Sequence, residues 1–245
     1  VLVGVLLIMS SLGIIFPRKQ LLTVSTNDVT TTYNAKPVFG GAPFVTRGQL
    51  LDGHRIEVTA ECKQTNAGEY ENVPEFVILD AAGADVTDMY RINEDYGKIT
   101  IKQRRLIVYS QSKEKRYDGT PLVSDTITVT GGSFVEGHTL VCDSVTSITL
   151  PGEQNILPSY SIIDENGADV TAQYTVSERL GTLFVLPVPV TIATGSAQKQ
   201  YDGLPLSSNV WQHTSGELLK GHTLKVACIT SETEVGDHEN LADVR

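Results

Sequence analysis

Tyr33, Tyr117 and Tyr201 stand 84 residues apart, and so do Pro37, Pro121 and Pro205. The same interval links Gly53-His54, Gly137-His138 and Gly221-His222, and then Gly68, Gly152 and Gly236. Between the first two copies the register continues through Asp80/Asp164, Gly83/Gly167, Ala84-Asp85-Val86-Thr87 against Ala168-Asp169-Val170-Thr171, Tyr90/Tyr174 and Gly97/Gly181. An ungapped alignment of 20–103 on 104–187 gives 23 identities in 84 positions, which is duplication rather than chance. A fixed period of this length constrains the fold more than any local propensity, because each copy must be one structural unit. The chain divides into copies at 20–103, 104–187 and 188–245. By the same period the third copy extends to 271, so the sequence is expected to be a fragment, cut at both ends.

The residues shared between copies are mostly Gly, Pro, Asp and Tyr, while apolar positions exchange among Val, Ile, Leu and Phe. Turns need special backbone angles, whereas a core needs volume and apolarity, so this pattern marks a retained backbone plan with an interchangeable core. Within copy one, Ile56, Val58, Ala60 and Cys62 alternate with Glu57, Thr59 and Glu61, the period-two pattern of a strand with one buried face. The parity recurs at Leu140, Cys142, Ser144 and Thr146, and at Leu224, Val226, Cys228 and Thr230. Further strands are expected at Leu21–Ser25, Glu75–Asp80, Tyr90–Asn93 and Lys98–Lys102. No window carries a helical stripe. The expected fold is all-β: tandem immunoglobulin-like β-sandwich repeats of 84 residues, preceded by a short hydrophobic helical segment. Lys98–Lys102 runs through Gln103-Arg104-Arg105 into the next copy, and Leu183–Val185 through Pro187-Val188-Pro189, without flexible linkers. Joins this short predict a semi-rigid rod.

Val1 to Phe16 is uncharged, with twelve Val, Leu, Ile, Met or Phe residues. Residues 1–19 are expected to be a truncated signal peptide or membrane anchor: Ser11-Leu12-Gly13 resembles a cleavage site, and Pro17-Arg18-Lys19 the flank of an anchor. The whole chain is 20% charged with a net charge of −10, which argues against nucleic acid as a partner. Three Cys make no disulfide framework, and five His leave little for a metal site.

Arg116-Tyr117-Asp118-Gly119-Thr120-Pro121-Leu122 and Gln200-Tyr201-Asp202-Gly203-Leu204-Pro205-Leu206, each followed by Gly-His-Thr-Leu and a later Gly, resemble the YDG and MBG-type repeats of bacterial surface proteins. The resemblance spans 20–245 and implies tandem β-sandwich modules of large exported adhesins or wall-associated proteins, with a noncatalytic role at the cell surface. Copy one departs from it with Tyr33-Asn34-Ala35-Lys36-Pro37.

Few residues carry candidate chemistry. Asp164-Glu165-Asn166-Gly167-Ala168-Asp169 has the oxygen-rich composition of a calcium loop, with Asp164, Asn166 and Asp169 as candidate ligands. Its counterpart Asp80-Ala81-Ala82-Gly83-Ala84-Asp85 lacks two of those oxygens, so a tight turn is the expected structure. His54, His138 and His222 lie one per copy and are expected at turns entering a strand. Cys62, Cys142 and Cys228 are expected as small buried thiols on inward parity. Tyr33, Tyr117 and Tyr201, with Tyr90 and Tyr174, are expected to pack on their own sandwich with hydroxyls on backbone partners; glycan contact is the alternative. Trp211, where the other copies have Pro43 and Ile127, is the candidate for an exposed contact. Lys115 and Lys199 are expected in solvated stretches, so an isopeptide cross-link is not expected. No Gly-x-Ser-x-Gly, phosphate loop or His-Glu-x-x-His appears, and no cofactor is expected.

The expected function is that of a stalk or spacer in an exported surface protein, contributing to adhesion. Its partners would be the bacterial envelope, neighbouring repeats, and glycan or protein at a host or cell surface. Two alternatives stand: a dedicated glycan- or host-protein-binding module, and an accessory region of an exported enzyme.

Overall fold

Strand segments and turns account for nearly all of the regular structure in the computed structural model, which describes residues 18–124 and 126–245. The chain is all-β. The two helical elements among the described residues are single 3-10 turns, Thr87–Met89 and Thr171–Gln173, 84 residues apart. The apolar segment Val1 to Phe16 lies outside the described residues, and no described helix is long and apolar enough to cross a membrane.

The chain forms two compact units whose boundary passes through copy two. The first holds the described residues up to Leu106 with Gly131–Leu140 and Ile162–Ser177; the second holds the described residues of 107–130, with Val141–Ser161 and Glu178–Arg245.

In the first unit, Gln20–Ser25 is the centre of a three-stranded sheet, antiparallel to Phe44–Arg47 and parallel to Tyr90–Asp95. A parallel partner requires a long crossover, so this pairing closes copy one by joining its beginning to its end. Lys98–Lys102 is the centre of a second sheet, parallel to Val29–Thr32 and antiparallel to Gly68–Glu71. Arg55–Ala60 pairs with Glu75–Leu79, and Val38–Phe39 with Lys63–Gln64. Alternation selects the inward faces. Leu22, Val24, Ile78, Ile99 and Ile101 are buried, and Val45, Leu50, Ile56, Val86 and Ile92 pack against Leu22, Ile78 and Tyr90. Each fully buried aliphatic side chain contributes about 1.5–3 kcal/mol. Asn72 is the one buried amide in this core, and its Nδ2 donates to the carbonyls of Asn27 (2.9 Å) and Gly40 (2.8 Å).

The second unit repeats part of this plan. Thr182–Leu186 is a central strand, parallel to Lys113–Arg116 and antiparallel to Gly152–Asn155. Leu122–Ser124 pairs with Thr146–Ile148. In copy three the pairs are Thr191–Thr194 with Trp211–Ser215, Leu206–Ser207 with Ser231–Glu232, and Val226–Cys228 with Ala242–Val244. No residue beyond Val185 is buried.

The cysteines depart from expectation. Cys142 is exposed, and Cys62 and Cys228 are only half-buried. The strand carries a register shift between Val58 and Ala60 and ends at Ala60, so Cys62 lies beyond its regular alternation. In Thr139–Ser144 the inward parity holds at Leu140 and is lost by Cys142. The third strand of this type shortens to three residues, Val226–Cys228.

Candidate functional site

The Tyr-Asp-Gly turn is closed by a lysine two residues before the tyrosine. Lys115 Nζ donates to Asp118 Oδ1 (2.7 Å), the Thr120 carbonyl (2.6 Å) and Thr120 Oγ1 (2.7 Å), which uses all three of its protons. Asp118 Oδ1 also accepts from the amide (2.9 Å) and hydroxyl (2.8 Å) of Thr120. Hydrogen bonds from Lys115 and Thr120 hold the Asp118 carboxyl far below the usual carboxylate range. In copy three Lys199 Nζ donates to Asp202 Oδ1 (2.6 Å) and to the carbonyl of Leu204, and Asp202 is lowered for the same reason. Gly119 and Gly203 adopt φ of +82° and +74°, which a side chain disfavours. Copy one has Thr31 in place of the lysine; there Asn34 Oδ1 accepts the Lys36 amide (3.0 Å), and Ala35 takes the left-handed angle at φ +60°. The expectation of solvated lysines is corrected: the Lys115 and Lys199 side chains are only 21% and 29% exposed, because each folds back over its own turn.

These turns position the repeated tyrosine. Tyr33 is buried, its ring centroid 6.0 Å from that of His138 at 46° and 6.0 Å from that of Tyr174 at 77°. Both partners belong to the next copy. Tyr117 meets His222 at 5.9 Å and again 46°. The histidines are presented by Gly-His turns in which the amides of His54, His138 and His222 donate to the carbonyls of Leu51, Val135 and Leu219, with φ of +78°, +82° and +87° at the preceding glycines. In copies one and two the ring is fixed further, His54 Nδ1 lying 2.7 Å from the Tyr90 hydroxyl and His138 Nδ1 2.8 Å from that of Tyr174. Those hydroxyls also accept the amides of Leu51 and Val135, as the corner reading expected. Tyr33 and Tyr117 correct that reading, since their rings meet the following copy. Burial, reinforced by Tyr174 and Asp164, raises the pKa of Tyr33.

Side chains of the join complete the first junction. Gln103 Nε2 donates to the Ala172 carbonyl (2.9 Å), and its Oε1 accepts from Thr175 Oγ1 (2.8 Å). Arg104 donates from Nε and Nη2 to the carbonyl (2.6 Å) and hydroxyl (2.8 Å) of Ser133, and Gln173 Oε1 accepts the Ala67 amide (2.6 Å). At the second junction Pro151, Pro187 and Val188 line a shallow cleft with Tyr117, Leu218 and His222. The lining of this cleft is mostly apolar, whereas side-chain hydrogen bonds bridge the first junction.

The other candidates stay apart. Asp164 Oδ1 accepts the amides of Asn166 (2.9 Å) and Ala168 (2.8 Å), and Asp80 makes the same bonds to Ala82 and Ala84. Asp169 Oδ1 accepts the Thr171 amide (2.8 Å) at the head of a 3-10 turn. These are turn-closing geometries; the Ala168 amide lowers the Asp164 carboxyl, and the hydroxyls and then the amides of Thr171 and Thr87 lower those of Asp169 and Asp85. Among the described residues no group of three or more His, Cys, Asp or Glu converges. Trp211 begins the strand Trp211–Ser215 opposite Thr194 and is half-buried rather than fully exposed. Tyr201 is 66% exposed. The Lys115 and Lys199 clamps, the Gln103 and Arg104 contacts and the Tyr-to-His pairing were missed from the sequence, although the constant spacing from Lys to Asp was visible in it.

No protein-family model matches the chain, and no match is found among the curated proteins or the solved structures.

Proposed function

We propose that the chain is a non-catalytic repeat region of an exported bacterial cell-surface protein, built of immunoglobulin-like β-sandwich repeats and serving as a semi-rigid spacer that contributes to adhesion. The observation that carries this reading is the recurrence of one contact at both junctions: Tyr33 on His138 and Tyr117 on His222, at the same tilt. A spacer needs neighbouring copies held in a fixed attitude, and an aromatic pair tied to two turns restricts bending more than a bare linker does. The motif carboxylates bind their own turns, which fits structural roles for them. The resemblance of the Tyr-Asp-Gly segments to YDG and MBG-type repeats, the net charge of −10 and the apolar leader favour an exported setting, with surface glycan or protein as the contacted partner. Repetition adds length and raises the effective concentration of weak contacts.

Small-angle scattering on the whole chain tests the reading. The expected result is a narrow distribution of dimensions that broadens when His138→Ala and His222→Ala are combined. A wild-type distribution as broad as that of the variant would overturn it.

A further inference from the structure

Copies one and two share the ladder between Gly68–Glu71 and Lys98–Lys102 and its counterpart, yet dress it differently. Glu69 is matched by Glu153, but Tyr70, Glu71, Tyr96 and Lys98 stand where copy two has Gln154, Asn155, Leu180 and Thr182. Asn155 lies opposite Thr182 just as Glu71 lies opposite Lys98, so the sheet itself does not require the copy-one side chains. In copy one those residues, with Glu69, line a single cleft of about 210 Å³.

The two tyrosines supply its apolar surface. Both are half-buried, and Tyr70 is fixed by its hydroxyl, which donates to the Asn66 carbonyl (3.2 Å). The charged groups are exposed. Lys98 Nζ donates to Glu69 Oε2 at 3.5 Å, while Glu71 makes no ion pair among the described residues. Burial, then the charge and hydrogen bond of Glu94, then the charge of Glu71 raise the pKa of Tyr96, so its hydroxyl keeps its proton at neutral pH.

This lining selects among ligand chemistries. Carboxylates only accept hydrogen bonds and an ammonium only donates them. A cationic side chain would satisfy Glu69 and Glu71 but meet Lys98, and an anion would meet two carboxylates. A neutral polyol suits both signs, because each hydroxyl donates and accepts. Aromatic rings with polar tips then take the C–H face of a sugar ring. The cleft is smaller than the roughly 300–1,000 Å³ of pockets that enclose a drug-sized ligand, so it holds one ring of a glycan and leaves the remainder in solvent.

We infer that this cleft is a saccharide subsite, in which Tyr70 and Tyr96 pack on one pyranose ring, Glu69 and Glu71 accept from its hydroxyls and Lys98 donates to one of them. The inference rests on the adhesive part of the function proposed above and places the glycan contact on copy one.

Saturation-transfer NMR on the whole chain tests it. The probes are the methyl glycosides of glucose, galactose, mannose and N-acetylglucosamine at about 10 mM, a concentration that fills most of a millimolar site. The expected result is transfer to the ring protons of at least one glycoside, with binding weakened about tenfold or more when Tyr70→Gln and Tyr96→Leu install the copy-two residues. Glu71→Asn alters an exposed side chain and is expected to weaken the same signal at an unchanged melting temperature, which separates loss of binding from loss of fold. The inference is overturned by absence of transfer to every one of these glycosides, or by transfer that survives all of the substitutions. It is also overturned by a short arginine peptide that shifts the amide resonances of 69–71 where no glycoside does, which would make the cleft a cation site. None of these outcomes alters the scattering result, so failure here leaves the spacer reading to its own test.

Discussion

Tyr33 packs on His138 although 105 residues separate them, and Tyr117 packs on His222 across the same separation and at the same 46°. The contact therefore scales with the repeat: Tyr33 and Tyr117 each reach the Gly-His turn of the copy that follows. Burial tracks the partners available. Tyr33 has both His138 and Tyr174 and is 4% exposed, Tyr117 has His222 and is half-buried, and Tyr201 is 66% exposed.

Truncating this tyrosine is expected to cost stability in that order. Tyr33→Ala removes a fully packed ring and should destabilise by roughly 3 kcal/mol, as large aromatic truncations do. Tyr201→Ala should stay within about 0.5 kcal/mol. Urea unfolding of the two variants checks the ordering, and a double-mutant cycle of Tyr33 with His138 should return a coupling of about 0.5–1.5 kcal/mol. Equal costs at 33 and 201 would show that the junction contributes nothing.

The left-handed position of the motif turn carries a second expectation. Gly119 and Gly203 meet it freely, while Ala35 holds φ +60° with a β-carbon. Ala35→Gly is expected to raise stability by about 0.5–1 kcal/mol, less the extra freedom it gives the unfolded chain, and Gly119→Ala to lower it by about 1 kcal/mol. Thermal melts of the pair read the opposite signs directly.

Much of this was legible in the sequence, and the reasons differ by feature. The strands at Gln20–Ser25, Glu75–Leu79 and Lys98–Lys102 follow from alternation, which needs only local pattern. The Asp164 turn was legible because its copy-one counterpart Asp80–Asp85 lacks the extra oxygens yet keeps the spacing. The junction was not, because recurrence establishes which residues are equivalent and is silent on which copies touch. Cys62 was misjudged because the strand ends at Ala60, just after a register shift at Val58/Ala60 that has no signature in hydropathy. Lys115 was misjudged because charge was read as exposure, whereas its ammonium finds three acceptors in its own turn.

That lysine clamp is pH-dependent in a defined sense. The Asp118 carboxyl is depressed because Lys115 and Thr120 bind its charged form, and those bonds exist only in the folded chain. A depressed folded value contributes stability that is present above the ordinary aspartate range and is lost as pH falls through the lower folded value. Asp118→Asn is therefore expected to destabilise at neutral pH, with the gap to wild type closing under strong acid. Carbon-detected NMR of the Asp118 carboxyl should show a midpoint below that of an unstructured aspartate. A midpoint in the ordinary range would remove the clamp from the account.

Asn72 and Gly40 make the sharpest coupled prediction. Asn72 is buried and pinned by two carbonyls, and a β-carbon on Gly40 would stand 1.7 Å from its Oδ1. A neighbour held on both sides cannot yield, so Gly40→Ser is expected to destabilise by about 2 kcal/mol or more. Copy two solves the same site differently, with Ser124 and Ile156 at the equivalent positions, both buried. Copy three combines Ser208 with Asn240, but there the amide residue is only half-buried and its bond to the Ser208 carbonyl lengthens to 3.1 Å. Introducing Asn72→Ile alongside Gly40→Ser installs the copy-two pair and removes the collision, so the double variant should recover at least half of the loss. Guanidinium unfolding of the two single variants and the double variant gives the coupling. Simple additivity of the two losses would mean that Gly40 is required by its own backbone and not by its neighbour.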